Sequence, residues 1–297
     1  MNPQMIQTGG SPGAAPLVLI HDGSGNCAHY FRLGSLQRRV YGIYSPRARW
    51  KGGISEMADV YAELVRTVVP RGPLLLGGWS LGGIVAIEVA LRLQQDPAIH
   101  VRGIVMVDSV FPHRDPLDTR PVVQHLPKFA AGCPLELQRA VRRSMALSAA
   151  MLDSWHPPTR MQPAGDYFSF REGRGNSVET PPLTHTQNTP TSPDDLATPH
   201  SMGGPVQAPE KKPPQPAMPP AILLRATDHF PTPGMHLSRV DIHRSDLLLG
   251  WGRYSQSLIH AVLDLPGHHF NLFDQDHIDY TTHELSLACQ MLEIGTR

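Results

Sequence analysis

The stretch that decides the fold is GGWSLGG at residues 77–83, which directly follows the apolar run LLL at residues 74–76. The apolar pattern IVAIEVALRL at residues 84–93 comes straight after it and has the composition of a buried helix. A short buried strand, a sharp turn and a helix are therefore predicted in that order. Ser80 stands at the turn, where side chains two residues before and after it would crowd the backbone. Glycine is favoured at both of those positions for that reason.

Residues 78–82 match the pattern G-x-S-x-G, which places a nucleophilic serine on a strained turn between a strand and a helix. By itself the pattern also fits an ordinary turn packed by small residues. The predicted strand before it and helix after it favour the nucleophile elbow of an α/β-hydrolase. Ser80 is the predicted nucleophile, and a neighbouring base must remove its proton.

Strand and helix signals alternate along most of the chain. Apolar strands are predicted at residues 17–20, 40–44, 104–107, 221–226 and 261–265, one helix opens at Ser55, and an amphipathic helix closes the chain at residues 278–294. Such alternation is typical of right-handed β-α-β units and a parallel sheet. The predicted fold class is α/β, specifically an α/β-hydrolase fold with a mainly parallel central sheet flanked by helices.

A long insertion at residues 113–220 interrupts this alternation, and it is predicted to be a lid within a single domain of residues 1–297. It contains a predicted helix at residues 135–152. Residues 156–220 hold half of the 30 prolines of the chain, so this part is predicted to be disordered. The exception is YFSF at residues 167–170, which we expect to dock on the folded body.

Composition narrows the functional classes. The formal net charge is zero and the isoelectric point is about 7.3, which does not suggest a nucleic-acid-binding or membrane-binding surface. The three widely spaced cysteines, Cys27, Cys133 and Cys289, form neither a disulfide framework nor a zinc-ligand pattern. No apolar run reaches the roughly 18 residues of a membrane span, and the polar N-terminus does not resemble a signal peptide. We expect a cytoplasmic enzyme that needs no metal and no cofactor.

The remaining members of a catalytic triad should follow Ser80 in the order acid, then histidine. His268 and His269 lie in the loop after the last predicted strand, from which a side chain can reach over the sheet edge. Two carboxylates end predicted strands: Asp108, 28 residues after Ser80, and Asp228, which ends the strand before the histidines. Asp228 has the commoner position for the acid among α/β-hydrolases, so the residues alone leave both open.

An oxyanion hole requires two N–H donors aimed at the developing negative charge. The backbone of Leu81, immediately after the nucleophile, is expected to supply one of them. The second is expected from the glycine-rich loop HDGSG at residues 21–25, whose glycines let the backbone approach a substrate closely. The alternative, a phosphate-binding loop, is disfavoured because the third glycine and the lysine of such motifs are missing.

Four stretches together carry a family resemblance: LVLIHDGSG at residues 17–25, GGWSLGG at residues 77–83, VDS at residues 107–109 and GHHF at residues 267–270. With them, residues 15–112 and 221–295 resemble the thioesterases of polyketide and non-ribosomal peptide synthesis, in particular the fungal members. The resemblance implies that Asp108 is the acid, that His269 is the base and that Gly23 is the second oxyanion donor.

The resemblance also implies a reaction. An acyl chain would pass from the phosphopantetheine thioester of a carrier protein to Ser80, and would then be released to water or to a nucleophile within the chain. The implied partner is an acyl carrier protein domain of a polyketide or non-ribosomal peptide synthase. Because the chain holds no carrier or synthase segment, we expect a free-standing enzyme that acts in trans. The Pro-rich insertion departs from the compact helical lid of this family.

Several alternatives remain open from the sequence. The same triad would serve a carboxylester hydrolase or acyltransferase acting on small oxygen esters, and a catalytically silent binding protein could keep the fold. A basic cluster in the predicted lid helix, Arg139, Arg142 and Arg143, could meet an acidic carrier protein or the pantetheine phosphate, although a solvated helix face is the commoner explanation. Trp79 and Trp251 could line an acyl pocket or pack in the core.

Overall fold

A seven-stranded sheet organises the residues that the computed structural model describes, which are 1–46, 49–125, 127, 129, 131–158, 218–255 and 257–295. In chain order, the strands of the described residues are β1 (Gln4–Gln7), β2 (Leu17–Ile20), β3 (Val40–Ile43), β4 (Gly72–Trp79), β5 (Ile99–Val107), β6 (Val122–Val123), β7 (Ala221–Asp228), β8 (Leu237–Ser238) and β9 (Ile259–His268). The large sheet has the order β1-β3-β2-β4-β5-β7-β9, and β6 pairs separately with β8. Only β1 runs antiparallel to its neighbour, so the prediction of a mainly parallel sheet is confirmed.

The helices cover both faces of this sheet. They are α1 (Gly53–Val68), α2 (Leu81–Leu93), α3 (Leu135–Ser154) and α4 (Ile278–Ile294). Helices α1 and α2 pack on one face, and α4 packs on the other against β5, β7 and β9. None of the helices in the described part of the chain is long and apolar enough to cross a membrane.

The central strands read as continuous apolar runs because both of their faces are buried. In β2, for example, Val18 and Ile20 belong to the core beside α1 and α2, whereas Leu17 and Leu19 belong to the core beside α4. All four of these side chains are fully buried. Since the strands run in parallel, the loops after β2, β4, β5 and β9 meet at one edge of the sheet, where the predicted site residues lie.

The predicted elements are present, and several are longer than the apolar pattern indicated. Strand β5 begins at Ile99 rather than at residue 104 because its first half alternates buried apolar residues with the polar His100 and Arg102. Helix α1 begins two residues before Ser55, where the Glu56 carboxylate accepts a hydrogen bond from the Gly52 N–H at 2.9 Å. The edge strand β1 has the polar sequence QMIQ and was not predicted.

The helix predicted at residues 135–152 is present as α3, which extends two residues beyond the predicted end. The predicted disorder of residues 156–220 lies outside the described residues except at its two ends, residues 156–158 and 218–220, and the predicted docking of residues 167–170 lies wholly outside them. The strands before and after this insertion are neighbours in the sheet, because Ile104 of β5 pairs with Ala221 of β7.

Candidate active site

Ser80 occupies the sharp turn between β4 and α2 that the sequence predicts. Its backbone has φ 58° and ψ −118°, a conformation that L residues rarely adopt, and its N–H donates to the Val107 carbonyl at 2.9 Å. A Cβ added to Gly78 would lie 2.5 Å from the carbonyl carbon of Gly82, and one added to Gly82 would lie 2.3 Å from the Ile20 carbonyl oxygen. Neither position has room for a side chain, which agrees with the steric reason for both glycines.

A buried tyrosine hydroxyl fixes the end of the strand that carries the serine. The Tyr30 O–H donates to the Ile20 carbonyl at 2.7 Å and accepts from the Trp79 N–H at 2.8 Å. The ladder between β2 and β4 includes a bond from Leu75 N–H to the Pro16 carbonyl, and it advances by two residues per bond. Continued by two more bonds, this ladder would join the Trp79 N–H to the Ile20 carbonyl. At the elbow the Tyr30 hydroxyl lies between these two groups and bonds to both.

Asp108 and His269 meet at the same sheet edge. Asp108 follows β5, is fully buried and has a positive φ of 44°, which turns the chain sharply at the strand end. His269 follows β9 and is 2% exposed. Its Nδ1 lies 2.7 Å from Oδ2 of Asp108. The structure therefore brings together the acid and the histidine that the family resemblance singled out.

The Asp108 carboxylate is held by four donors. Oδ1 accepts from the Ala226 N–H at 2.9 Å and from Nη1 of Arg244 at 2.5 Å, while Oδ2 accepts from Nη2 of Arg244 at 2.8 Å and from His269. Burial by itself would raise the pKa of Asp108, but the hydrogen bonds from His269 and Arg244 outweigh it and lower the pKa to about 2. Asp108 is thus a carboxylate at neutral pH and can only accept.

This charge state determines the tautomer of His269. Because an ionised carboxylate has no proton to donate, the proton in the 2.7 Å contact must sit on Nδ1 of His269. Nε2 of the neutral ring is then left as an acceptor. A ring with this tautomer can receive a proton from a hydroxyl placed near it.

The two alternative site residues lie elsewhere. Asp228, at the end of β7, is exposed, and its side chain accepts a hydrogen bond from Thr227 at 3.0 Å. His268 is the last residue of β9; its Nδ1 accepts from the Phe270 N–H at 3.2 Å and its ring meets Phe230 edge to face. Burial lowers the pKa of His268. Neither residue contacts the Asp108 carboxylate.

A cavity of about 100 Å³ is lined by all of the predicted site residues except the buried Asp108. Ser80, Leu81, Gly23 and His269 all line it. Most of its remaining wall is apolar, with contributions from Ile84, Val110, Phe111, Met145, Leu152 and Phe270. Among the described residues no hydrogen bond joins Ser80 to His269; they share the cavity wall. The arrangement suits a ligand with an apolar chain and a reacting carbonyl at the Ser80 end.

The glycine-rich loop after β2 is fixed from both sides. The Asp22 carboxylate accepts from the Ser24 backbone N–H at 3.1 Å, and the Gly23 carbonyl accepts from the Ser148 hydroxyl of α3 at 3.0 Å. His21, at its start, is buried between the Asp22 carbonyl and the Tyr61 hydroxyl, each 2.6 Å from a ring nitrogen. Burial lowers the pKa of His21, which favours the neutral ring.

Helix α3 covers the cavity and is anchored at its C-terminal end. The indole N–H of Trp155 donates to the carboxylate of Glu88 on α2 at 2.9 Å, and the pair is buried. Nearer the cavity, Arg239 forms an ion pair with Asp153 at 2.6 Å. Both contacts hold α3 to the described body of the protein through its last turns.

The structure gives different surroundings to the tryptophans and arginines whose roles the sequence left open. Trp79 lines the cavity, whereas Trp251 is fully buried in the core and donates from its indole N–H to the Ser109 carbonyl at 2.7 Å. In the basic cluster, Arg139, Arg142 and Arg143 are exposed on α3. Arg139 and Arg143 line a groove beside the loop at residues 24–26. No group of three or more His, Cys, Asp or Glu side chains placed to hold a metal ion occurs in the described parts of the chain.

Sequence reasoning missed two residues of this site. Tyr30 lies in a short 3-10 helix, Ala28–Arg32, and nothing in its local sequence indicates a hydroxyl bridge at the elbow. Arg244 lies between β8 and β9 in a segment without regular apolar spacing. Its only local signal is Asp241 three residues earlier, a spacing at which oppositely charged side chains meet on a helical turn.

Sequence comparison relates the chain to known thioesterases. A family model of the thioesterase domain matches residues 15–129. Thioesterase frbD of Dothideomycetidae sp. (strain 11243) is 33% identical over 299 residues, which cover 98% of this chain and 94% of frbD. Nonribosomal peptide synthetase imqB of Aspergillus flavus is 30% identical over 295 residues, which cover 98% of this chain but 8% of imqB.

Solved structures agree on the fold. The NocB thioesterase domain, crystallised as a covalent complex with a fluorophosphonate nocardicin G analog, aligns with a TM-score of 0.56 at 22% identity, covering 93% of this chain and 96% of that chain. At this identity the likeness concerns the fold, and it confirms the predicted α/β-hydrolase architecture. The family itself follows from the sequence relatives: because frbD is 33% identical over 98% of this chain, the chain belongs to the thioesterase family.

Proposed function

We propose that this protein is a serine thioesterase that releases an acyl or polyketide chain from the phosphopantetheine thioester of a carrier protein through an acyl-Ser80 intermediate. Release occurs by hydrolysis or by cyclisation, within secondary-metabolite biosynthesis. The observation that carries the proposal is the buried 2.7 Å contact between His269 and Asp108 on the cavity that Ser80 also lines.

Acylation begins with transfer of the Ser80 hydroxyl proton to Nε2 of His269. The serine oxygen attacks the thioester carbonyl carbon, and its C–S bond breaks in the collapse of the tetrahedral intermediate. His269, now protonated on both nitrogens, gives its Nε2 proton to the departing thiolate. Asp108 stays ionised throughout, orients the ring and stabilises the imidazolium.

The tetrahedral intermediate carries negative charge on the former carbonyl oxygen. We assign its stabilisation to the backbone N–H groups of Leu81 and Gly23. Two features support this assignment. Leu81 is the first residue of α2, where backbone N–H groups lack partners within the helix. Gly23 lines the same cavity, and its carbonyl is held by Ser148 of α3.

Deacylation repeats these steps with a different nucleophile. His269 removes a proton from water or from a hydroxyl or amine of the acyl chain, which attacks the acyl-Ser80 ester. Collapse of the second intermediate returns the proton to Ser80. Exclusion of water by α3 over the cavity would favour attack from within the chain.

The proposed partner is an acyl carrier protein domain of a polyketide or non-ribosomal peptide synthase, on which the enzyme acts in trans. The relative frbD supports action in trans, because this chain covers 94% of its length. The proposed docking surface is the groove lined by Arg139 and Arg143 beside residues 24–26. Exposed guanidinium groups there suit an acidic carrier protein or the pantetheine phosphate.

The organisation proposed for the chain is a single α/β-hydrolase domain, residues 1–297, with residues 113–220 as a lid. The described residues support it, because they belong to one compact unit and because β5 and β7 are neighbours across the insertion. The proposed chemistry uses side chains and backbone alone and needs no cofactor beyond the phosphopantetheine of the partner. We also propose a cytoplasmic location, which free Cys27, Cys133 and Cys289 support.

The test compares thioesters with oxygen esters. Acyl-pantetheine thioesters of several chain lengths, and oxygen esters of the same chains, are supplied to the wild type, to Ser80→Ala and to the matched control Ser11→Ala, an exposed serine in the loop before β2. We expect wild-type kcat/KM to favour thioesters, Ser80→Ala to lose about 10³-fold or more, and Ser11→Ala to match the wild type. Preference for oxygen esters would identify a carboxylester hydrolase or acyltransferase, and no turnover of either class would indicate a binding protein.

A second experiment tests the partner. Arg143→Glu should raise KM for acyl chains presented on a carrier protein, and leave KM for free acyl-pantetheine unchanged. Arg71→Glu serves as the matched control, because Arg71 is exposed beside the N-terminal end of β4, at the opposite sheet edge. Equal KM values for all three proteins on the carrier-bound substrate would exclude this face of α3 as the docking surface.

A further inference from the structure

One buried arginine joins the candidate triad to a second carboxylate. The side chain of Arg244 is 1% exposed, and it lies between Asp108 and Asp241, whose side chains are 0% and 1% exposed. Nε donates to Oδ1 of Asp241 at 3.0 Å, while Nη1 and Nη2 donate to the two oxygens of Asp108. The two terminal nitrogens of the Arg244 guanidinium thus bind the Asp108 carboxylate, which also contacts His269, in a bidentate pair.

Every donor of this guanidinium is used. The two N–H groups that remain after the carboxylate contacts donate to the backbone carbonyls of Ala226 at 2.9 Å and Val240 at 3.0 Å. Five donors meet five acceptors, which is the full capacity of the group. The Arg244 side chain is therefore fixed in position, and it fixes the Asp108 carboxylate in turn.

The shared oxygen ties this arrangement to the histidine. Oδ2 of Asp108 accepts both from Nη2 of Arg244 at 2.8 Å and from Nδ1 of His269 at 2.7 Å. Rotation of the carboxylate would break both contacts at once. Neither Arg244 nor Asp241 lines the cavity, although their neighbours Arg239, Val240 and Ile242 do. Any influence of Arg244 on the reaction must pass through Asp108.

Charge gives the second reason for this role. A carboxylate buried without a counter-ion takes up a proton, because desolvation disfavours its charged form. A protonated Asp108 would carry an O–H donor of its own, so it would no longer act only as an acceptor toward Nδ1 of His269 and orient the ring as the carboxylate does. Arg244 supplies the compensating positive charge, and Asp241 secures its other edge while accepting from the Phe230 N–H at 2.7 Å.

We propose that Arg244, held by Asp241, is a positioning residue of the reaction, which keeps Asp108 ionised and aimed at Nδ1 of His269. The proposal rests on the proposed function, in which Ser80 and His269 perform the chemistry. It predicts that loss of the guanidinium slows the chemical step without weakening binding in the cavity.

The pH dependence separates this role from a merely structural one. Among the described residues, the charged and titratable groups that face Asp108 are Arg244 and His269, with Asp241 behind Arg244 and His268 adjacent to His269 in the chain. In Arg244→Gln the loss of the compensating charge should raise the pKa of Asp108, so that Asp108 becomes more fully ionised as the pH rises. The defect of the variant relative to the wild type should therefore shrink at high pH.

The test measures covalent labelling of Ser80 by a fluorophosphonate probe between pH 6.5 and pH 9, with the labelled residue identified by peptide mass. For Arg244→Gln we expect a maximal labelling rate about 10²-fold below the wild type at pH 6.5, and a ratio to the wild type that rises at least fivefold by pH 9. The probe concentration at half-maximal rate should stay within twofold of the wild-type value. Arg244→Lys keeps the charge but loses the fork, so it should lie between the two.

Two further variants complete the design. Asp241→Asn leaves the guanidinium in place but loosens its other edge, and should lower the maximal labelling rate about threefold to tenfold. Arg38→Gln is the matched control, because Arg38 is a buried arginine that holds Glu293 through two hydrogen bonds, at 2.8 and 3.2 Å, away from the cavity. It should lose stability and keep the wild-type labelling rate.

The outcomes distinguish the possible failures. A wild-type labelling rate in Arg244→Gln, or a deficit that does not change with pH, would overturn the positioning role. If Arg244→Gln does not fold, wild-type rates in both Arg244→Lys and Asp241→Asn would overturn it instead. A wild type that is not labelled at Ser80 would overturn the proposed nucleophile itself, and the positioning role with it.

Discussion

Replacing Tyr30 by Phe removes one oxygen atom from the end of the strand that carries Ser80. In the native protein that oxygen lies 2.7 Å from the Ile20 carbonyl and 2.8 Å from the Trp79 N–H, and both backbone groups are buried. Because burial raises the pKa of Tyr30 well above its usual value, the hydroxyl stays protonated at neutral pH and can donate to the Ile20 carbonyl. The substitution keeps the ring and its edge-to-face contact with Phe273.

The magnitude follows from the groups left behind. A buried backbone group that loses its partner costs about 1–3 kcal/mol, and Tyr30→Phe removes a partner from two such groups. We expect the free energy of unfolding to fall by about 2–4 kcal/mol, a large share of the roughly 5–15 kcal/mol that stabilises an ordinary domain. Labelling of Ser80 should also slow, because Trp79 immediately precedes the serine.

Urea unfolding followed by tryptophan fluorescence measures the change, with m compared between the proteins to check for two-state behaviour. Tyr280→Phe is the control, since Tyr280 is 60% exposed on α4 and should change stability by less than about 0.5 kcal/mol. A loss below about 0.5 kcal/mol in Tyr30→Phe would show that the hydroxyl bridge does not hold the elbow.

Three other predictions follow from the same structure. Gly82→Ala places a Cβ 2.3 Å from a backbone carbonyl of β2 and should destabilise the fold by several kcal/mol or prevent folding, whereas Gly9→Ala, with no atom within 4 Å, should be neutral by thermal melting. The pKa of Asp108 is lowered from 3.8 to about 2, so its contribution of about 2 kcal/mol is complete above about pH 5 and is lost progressively as the pH falls through 2. Urea unfolding at pH 5 and pH 2.5 should show a smaller acid-induced loss in Asp108→Asn than in the wild type. Trp155→Phe leaves the buried Glu88 carboxylate without its indole donor and should cost about 1–3 kcal/mol, and unchanged protection of the α3 amides from hydrogen exchange would contradict the anchoring role.

The sequence predicts the elbow well because its requirements are local. The glycines at positions 78 and 82, the strand before Ser80 and the helix after it all lie within about twenty residues. Each of them responds to steric limits on one turn. The same holds for the parallel strands, whose continuous apolar runs reflect burial on both faces.

The choice between Asp108 and Asp228 could not be made from the residues alone, because both follow apolar strands at the same sheet edge. The backbone decides it: Asp108 turns sharply inward with a φ of 44°, whereas Asp228 is the exposed last residue of its strand. The family resemblance singled out Asp108 without giving this reason. The role of Arg244 could not be predicted from the sequence. Its partner Asp108 is 136 residues away and Asp241 is three residues away, and only the tertiary fold brings the three side chains together.

The polar edge strand β1 was missed for a related reason. An edge strand needs one paired neighbour and little apolar surface, so QMIQ gives no periodic signal. Its pairing depends on β3 being present, and it is antiparallel, unlike its neighbours.

The central claim is that Ser80 carries the acyl chain during the reaction, and intact mass tests it most directly. Wild type and Ser80→Ala are each mixed with an acyl-pantetheine thioester and quenched within seconds. We predict that the wild type alone gains the mass of the acyl group or releases free acid rapidly. An adduct that persists in Ser80→Ala, or the absence of both adduct and release across chain lengths while a fluorophosphonate still labels Ser80, would contradict the claim.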